Sequence, residues 1–201
     1  PINDAFPFLC APGVLGSTHF ENQTSPSCAA LCPAGKVCPT AATVTPKDCS
    51  EGAYCAAGSV TPTPCPPGTH SRATNLTSAH ECTLCPAGAS CVAGSLQPLR
   101  CGPGTFTPSA GHSECLPCGA GSYQDEKGAT ACKDCIFNHH CAAGSTLPSP
   151  CPSGTTANAS LAVMTGASPC LICARGSWCA PGSIVACEVN FYDPTMGAAD
   201  Q

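Results

Sequence analysis

The sequence predicts a small disulfide-rich fold, an elongated tandem array of cysteine-rich modules with short β-ribbons and little or no helix. The first observation is composition: the 201 residues include 21 Cys, 22 Pro and 20 Gly, and so large a share of cysteine is typical of disulfide scaffolds. The second is that Leu, Ile, Val and Phe together number only 29 of the 201 residues, so cross-links have to supply the stability that a large core would otherwise provide. The third is an internal repeat of the cysteines.

Each module is predicted to begin with a tight turn of the form Cys-x-x-Gly. When the cysteines are taken two at a time, they enclose either five residues or between 13 and 18 residues. Three residues after each first cysteine stands a glycine or an asparagine, the residues that adopt positive φ at least cost. These residues are Gly13, Gly35, Gly52, Gly68, Gly88, Gly104, Gly121, Asn138, Gly154, Gly176 and Asn190.

A ring side chain follows the turn in most modules, five residues after the first cysteine. We expect each ring to pack on the adjacent disulfide and to form a miniature core. Since no segment has helical periodicity free of Gly and Pro, we expect two-stranded ribbons of roughly three or four residues per strand inside the long loops, and contacts between neighbouring modules that make a rod. The ring residues are Tyr54, Phe106, Tyr123, Trp178 and Tyr192, with His70 and His140 as partial substitutes.

Composition and charge exclude several classes of protein. The seven Lys and Arg residues are scattered and the formal net charge is −5, so nucleic acid is not an expected partner. No apolar run approaches the roughly 18 residues that a membrane span needs. Ten or so disulfides require an oxidising compartment, which predicts a protein that is secreted or exposed on the extracellular surface.

Two segments carry a resemblance to known repeats. CGPGTFTPSAGHSECLPC (Cys101 to Cys118) and CGAGSYQDEKGATACKDC (Cys118 to Cys135) resemble ephrin-receptor-like and tumour-necrosis-factor-receptor-like cysteine-rich repeats. As a class of repeat, the resemblance covers nearly the whole chain from Cys10. The short loops, and the AAGS or VAGS that follows them, depart from the receptor pattern. Arrays of this looser kind resemble large surface and filament glycoproteins of protists and algae.

The resemblance implies that neighbouring cysteines pair in the long loops. Extended to the whole chain, sequential pairing leaves Cys187 unpaired, and CEVNFY at Cys187 has the pattern of a module that is truncated at the end of the sequence. The predicted pairs are Cys10–Cys28, Cys32–Cys38, Cys49–Cys55, Cys65–Cys82, Cys85–Cys91, Cys101–Cys115, Cys118–Cys132, Cys135–Cys141, Cys151–Cys170 and Cys173–Cys179.

An interlaced pairing stays open as an alternative, because spacing alone does not fix connectivity. It would leave Cys179 unpaired, and it is favoured by a second set of glycines after the short loops (Gly58, Gly94, Gly144 and Gly182). Its pairs would be Cys49–Cys65 with Cys55–Cys82, Cys85–Cys101 with Cys91–Cys115, and Cys135–Cys151 with Cys141–Cys170.

The repeat pattern also predicts how the chain is organised. The predicted segments are an apolar N-terminal segment at 1–9, first cysteine-rich modules at 10–48, repeat modules at 49–117, a single-disulfide module at 118–134, further repeat modules at 135–186, and the start of a truncated module at 187–201.

Metal binding and catalysis are poorly supported. Pairs such as Cys82 and Cys85 have zinc-ribbon spacing at one end, yet the intervals between successive pairs vary too much for a repeated ribbon. His139 and His140 lie beside two cysteines without an orienting acid nearby, and Asp125 with Glu126 offers too few oxygens for a calcium loop. We therefore expect no catalytic, cofactor-binding or metal-binding residues, and no enzyme activity.

Covalent glycans are the better-supported chemistry. Asn22, Asn75 and Asn158 each begin an Asn-x-Ser/Thr sequon, and the secretory route that the cysteines indicate would bring them to the glycosylation machinery. Each sequon falls within one of the three longest loops, which is consistent with N-glycosylation at a loop tip.

Two functions from different classes follow from these observations. The first is a structural component of an extracellular glycosylated filament or cell-surface coat, a rigid disulfide-stapled rod that assembles with copies of itself, with the apolar segment 1–9 docking on a neighbouring module or subunit. The alternative is a receptor-like ectodomain that binds a protein ligand through residues around Phe106, Tyr123 and Lys133.

Overall fold

The computed structural model of the protein describes residues 10–16, 30–41, 43–157, 170–173, 177–180 and 183–186. Within them, the regular structure consists of two-stranded antiparallel sheets and one 3₁₀ turn at Ala79–Glu81. This is the small disulfide-rich array of β-ribbon modules that the sequence predicts.

The strands are short, and each pairs with its neighbour in the sequence to form one ribbon per module. They are β1 (Val14–Leu15) with β2 (Ala30–Leu31), β3 (Lys36–Val37) with β4 (Lys47–Asp48), β5 (Ala53–Tyr54) with β6 (Thr63–Pro64), β7 (Thr69–His70) with β8 (Thr83–Leu84), β9 (Ala89–Ser90) with β10 (Leu99–Arg100), β11 (Thr105–Phe106) with β12 (Leu116–Pro117), β13 (Ser122–Tyr123) with β14 (Lys133–Asp134), β15 (His139–His140) with β16 (Ser149–Pro150), β17 (Thr155–Ala157) with β18 (Cys170–Ile172), and β19 (Ser177–Ala180) with β20 (Ser183–Ala186).

The ribbons differ from the sequence expectation in length and in place. Most strands have two residues rather than three or four, and in most ribbons only the first strand lies inside the disulfide loop. In the module that begins at Cys65, β7 lies within the Cys65–Cys82 loop whereas β8 follows it. The ribbon ends where the N–H of Cys85 donates to the carbonyl of Gly68 at 2.8 Å, so the next module begins directly at the edge of the ribbon.

The predicted turns have the predicted backbone conformation. All eight glycines of the Cys-x-x-Gly turns within the described residues have positive φ, between 72° and 87°, and Asn138 has a φ of 57°. The glycines are Gly13, Gly35, Gly52, Gly68, Gly88, Gly104, Gly121 and Gly154. Gly176 and Asn190 lie outside the described residues.

Half-cystines make up most of the buried side chains, so the interior is a series of small cores. In one of them Val37 and Ala53 are buried with Cys49 and Cys55. Each core is so small that its apolar contacts alone would contribute little to the stability of the fold. The disulfides supply the cross-links that the composition predicts.

The chain forms two compact units. The first comprises residues 1–86, 90–99 and 111–113, and the second comprises residues 87–89, 100–110 and 114–201. The finer division into segments that the sequence suggests stays a prediction.

Successive modules within the first unit are joined by backbone hydrogen bonds. The turn N–H of Gly68 donates to the carbonyl of Cys91 at 2.8 Å, and the N–H of Ser71 donates to the carbonyl of Ser95 at 3.1 Å. In the opposite direction, the N–H of Gly94 donates to the carbonyl of Cys65 at 3.0 Å. Together with the bond from Cys85 to Gly68, these hydrogen bonds tie the module that begins at Cys65 to the next one.

The second unit repeats this pattern with different side chains. The N–H of Gly121 donates to the carbonyl of Cys141 at 2.8 Å, the N–H of Gln124 to that of Ser145 at 3.0 Å, and the N–H of Gly144 to that of Cys118 at 2.8 Å. Because the donors and acceptors are backbone groups at equivalent positions, the junction depends on the turn conformation more than on side-chain identity.

Candidate functional site

Neighbouring cysteines are paired throughout the described residues. The Cα atoms of each pair lie between 5.6 and 6.1 Å apart, an ordinary separation for a disulfide. Cys10 is also disulfide-bonded, whereas Cys28 and Cys187 lie outside the described residues. The pairs are Cys32–Cys38, Cys49–Cys55, Cys65–Cys82, Cys85–Cys91, Cys101–Cys115, Cys118–Cys132, Cys135–Cys141, Cys151–Cys170 and Cys173–Cys179.

This arrangement gives the second set of glycines a role that differs from the one considered in the sequence. Gly58, Gly94 and Gly144 also have positive φ, between 74° and 82°, yet they do not open a disulfide loop. Each donates its N–H to the carbonyl of the first cysteine of the preceding module, as Gly58 does to Cys32 at 2.8 Å. They are junction residues, so their presence does not require interlaced disulfides.

In three long-loop modules, a buried polar side chain occupies the repeat position at which the short loops have their second cysteine. These polar residues were not predicted from the sequence. Six residues after the first cysteine, a short loop has its second cysteine, but the long loops have Ser71, Thr107 and Gln124, which are only 6%, 0% and 3% exposed. The Thr107 hydroxyl donates to the carbonyl of Ala89 at 3.2 Å. The signal in the sequence is this exchange of cysteine for a polar residue at one repeat position.

The described side chains at the ring position are half-buried. Tyr54 packs against the Cys65–Cys82 disulfide and Leu76 of the following module, so the ring covers the next disulfide in the chain. His70, Phe106, Tyr123 and His140 are likewise half-buried, whereas nothing is described of the Trp178 side chain or of Tyr192.

The residues proposed to bind a protein ligand are brought together only in part. Tyr123 lies directly opposite Lys133 in one ribbon, whereas Phe106 lies opposite Leu116 in another. The Lys133 Nζ donates to Asp125 at 2.7 Å and to Glu126 at 3.0 Å. These acidic neighbours neutralise the one positive charge of the proposed patch.

The acid and base of this cluster affect one another's proton affinity. The Lys133 ammonium holds the pKa of the Asp125 carboxyl below its usual range, and the carboxylates of Asp125 and Glu126 raise the pKa of Lys133 well above its usual value. The cluster is therefore a set of ion pairs on the surface, between Lys133 and the two acidic residues.

The structure gives no support for a metal centre in the part of the chain it describes. No group of three or more His, Cys, Asp or Glu side chains there is arranged to hold a metal ion. Cys82 and Cys85, which have zinc-ribbon spacing, are each in a disulfide. The Nδ1 atom of His139 lies 2.9 Å from the carbonyl oxygen of Phe137, and both His139 and His140 are half-buried.

One apolar surface feature was missed from the sequence. Ile136 and Phe137 are 48% and 67% exposed at the tip of a Cys-x-x-Asn turn, and Leu147 of the same module is 64% exposed. Most other turn tips carry Pro, Ala, Ser or Gly at these two positions. The signal was an Ile-Phe pair where the repeat otherwise favours small or proline residues.

Comparison with known proteins identifies one family. The family described as "Tyrosine-protein kinase ephrin type A/B receptor-like" matches residues 93–135. This segment contains the two modules whose sequences resemble ephrin-receptor-like repeats, and the match confirms that resemblance. A search of the curated proteins found no match.

The family adds two general statements about the chain. The matched family is a receptor-like cysteine-rich domain and not an enzyme family. Together with the disulfide density, it indicates a disulfide-rich region of extracellular type. In the residues that the structure describes, no helix has the length and apolar character to cross a membrane.

Proposed function

We propose that the chain is a structural component of an extracellular filament or cell-surface coat, in which disulfide-stapled modules assemble with modules of other copies. The observation that carries this proposal is the recurrence of the same backbone hydrogen bonds at successive module junctions. In each compact unit, three bonds connect equivalent positions of consecutive modules, such as Gly144 and Cys118. Because these bonds use only backbone N–H and carbonyl groups, one module surface can bind any other module that has the same turns.

Such a repeat favours head-to-tail association of whole chains. A contact that joins one end of a molecule to the other end of the next is heterologous, and it generates filaments when the rotation does not close a ring. The sequence segment 1–9, which includes Phe6, Phe8 and Leu9, supplies an apolar element that could dock there. This segment lies outside the described residues, and its docking stays a prediction.

Sedimentation and electron microscopy of the secreted, oxidised full chain test self-assembly. We expect the sedimentation coefficient to rise with protein concentration and regular fibres to form. A chain that lacks residues 1–9 should assemble more weakly. A single monomeric species at every concentration, without fibres, would contradict the proposal, and fibres that are unchanged by the deletion would reject the role of residues 1–9.

A receptor-like ectodomain is the second candidate, and the exposed Ile136 and Phe137 favour it. Exposed aromatic residues such as Phe137 are common anchors at protein interfaces. Ile136 and Phe137 lie at a turn tip directly after the matched segment, residues 93–135. If this function is correct, the native material consists of isolated particles on a membrane. Phe137→Ser would then weaken ligand binding at least about tenfold, whereas Leu171→Ser, at an exposed leucine of another module, would not.

A further inference from the structure

Asn75 occupies a backbone position at which the equivalent residue of five other modules is glycine. Its φ is 64°, and the five glycines have φ values between 74° and 90°. Asn tolerates this left-handed conformation better than most residues, but less well than glycine. The five glycines are Gly58, Gly94, Gly111, Gly128 and Gly144.

The backbone of Asn75 makes the contacts of a junction glycine. Its N–H donates to the carbonyl of Cys49 at 3.1 Å, as Gly94 does to that of Cys65. Its carbonyl oxygen lies 2.7 Å from the point at which a Cβ on Gly35 would sit. The asparagine therefore adds a side chain to a junction that other modules complete without one.

The side-chain amide of Asn75 is oriented by its oxygen. The Oδ1 atom accepts a hydrogen bond from the N–H of Cys49 at 3.1 Å. The Lys36 ammonium holds the pKa of Asp48 below its usual range. A hydrogen bond from the Asn75 side chain lowers this pKa further. With Oδ1 bound to the backbone, the amide nitrogen lies on the Asp48 side.

Asn75 also begins the sequon Asn75-Leu76-Thr77 inside the Cys65–Cys82 loop. Leu76 is buried, with 7% exposure, and belongs to the core around that disulfide, while Asn75 and Thr77 on either side are exposed. The buried leucine anchors this part of the loop, so the asparagine is presented outward from it.

We propose that Asn75 carries an N-linked oligosaccharide whose first sugar is held in a fixed orientation beside Asp48 by the amide hydrogen bonds of the module junction. The donor is an oligosaccharide linked through a diphosphate to a lipid. The bond between the anomeric carbon and the diphosphate oxygen breaks, a bond forms from that carbon to Asn75 Nδ2, Nδ2 loses one proton, and the lipid diphosphate leaves with the electron pair.

The modified amide keeps the groups that hold it. Glycosylation replaces one of the two Nδ2 hydrogens, so Oδ1 can still accept from Cys49 and one N–H is left as a donor to Asp48. A structural filament and a receptor ectodomain would both accommodate this glycan, so the proposal does not depend on which function is correct.

Mass spectrometry of one tryptic peptide tests the modification. The full chain is secreted from eukaryotic cells, reduced, alkylated and digested, which releases residues 73–100 with Asn75 as their single sequon. We expect this peptide to carry a glycan in the wild type and in Thr77→Ser, and to be unmodified in Thr77→Val and Asn75→Gly. A wild-type peptide that is wholly unmodified would overturn the proposal, as would a modified Thr77→Val peptide.

Hydrogen exchange of the remaining Asn75 side-chain N–H tests the fixed orientation. In the native glycosylated chain, this proton should exchange at least about tenfold more slowly than in the chain unfolded in urea. Asp48→Ala removes the acceptor and should restore most of the exchange rate. Exchange as fast in the native chain as in urea would show a freely rotating glycan linkage and would reject the fixed orientation.

Discussion

At the scale of single residues, the turn glycines meet two separate demands. The first is positive φ, which Asn138 also meets, at 57°. The second is space, because a Cβ on Gly52 would sit 2.5 Å from the carbonyl oxygen of Gly94, two modules further along the chain. A side chain at such a position has to displace backbone, so the glycine repeat reflects packing as well as conformation.

Gly104→Ala should therefore destabilise the protein strongly. A Cβ at Gly104 would collide with the carbonyl oxygen of Gly144, and the φ of +80° disfavours alanine in addition. We expect a loss of about 2–4 kcal/mol in the free energy of unfolding, measured by denaturant titration of the oxidised chain. Hydrogen exchange at the Gly144 N–H, which donates to Cys118, should accelerate at the same time.

Gly102→Ala is the matched control in the same module. No atom lies within 4 Å of a Cβ built on Gly102, and its φ is outside the left-handed range. This variant should stay within about 0.5 kcal/mol of the wild type. Equal stability of the two variants would contradict the close-approach argument.

The Lys133 ion pair predicts a dependence on pH. The hydrogen bond from Lys133 holds the pKa of Asp125 below its usual range in the folded chain, whereas the carboxyl titrates near its usual value, about 3.9, in the unfolded chain. The contribution of Asp125 to stability is therefore complete above the unfolded pKa and is lost as the pH falls through the lower folded pKa. NMR titration of the Asp125 carboxyl measures this shift.

Lys133→Met should raise the pKa of Asp125 toward its usual value. The pKa of Asp48 serves as the internal reference, because Lys36 rather than Lys133 lowers it. It should stay low in the variant. An Asp125 titration that does not change in Lys133→Met would refute the assignment of the shift to this pair.

At the scale of elements, the turns were more predictable than the ribbons. The turns follow from residues that tolerate positive φ, a local property that the sequence displays directly. The ribbons depend on where the second strand pairs: Tyr54 faces Thr63 and Ala53 faces Pro64, residues beyond the Cys49–Cys55 loop. Thr63 and Pro64 carry no strand pattern of their own. For the long loops, the prediction that both strands lie inside the loop is wrong, because the second strand follows the loop, as β8 follows Cys82.

The disulfide loops of the first unit should differ in their contribution to stability. In the chain-entropy description, a cross-link contributes more when it closes a longer loop. The Cys85–Cys91 and Cys65–Cys82 pairs have sequence separations of 6 and 17, and all four half-cystines are buried. Replacing both cysteines by alanine should cost about 2 kcal/mol for the first pair and about 3 kcal/mol for the second.

Denaturant titration of the two double variants measures this difference. The module junction is otherwise unchanged, because the hydrogen bonds from Gly68 to Cys91 and from Gly94 to Cys65 use backbone atoms. If the short-loop variant were the less stable of the two, local packing rather than loop entropy would determine the contribution of each disulfide.

At the scale of the whole molecule, the composition predicts the class of protein but not the junctions. The contacts that join modules are backbone hydrogen bonds, such as that from Gly121 to Cys141, and backbone groups leave little trace in side-chain identity. The exposed Ile136 and Phe137 are visible in the sequence only once the turn repeat has been aligned. The ring position is the more visible aromatic pattern in the sequence, yet the ring side chains that the structure describes are half-buried.

Sequential pairing makes a definite prediction for the intact chain, because no sequential disulfide crosses the bond between Arg100 and Cys101. The three arginines are Arg72, Arg100 and Arg175. Arg72 lies within the Cys65–Cys82 loop and Arg175 within the Cys173–Cys179 loop. Cleavage after arginine in urea without reductant should therefore release two covalent fragments, residues 1–100 and residues 101–201. Each fragment is also cut once inside a disulfide loop, and that disulfide keeps its two pieces together. Interlaced pairing would instead link Cys85 to Cys101 and Cys91 to Cys115, so the two halves would migrate as one species until a reductant is added.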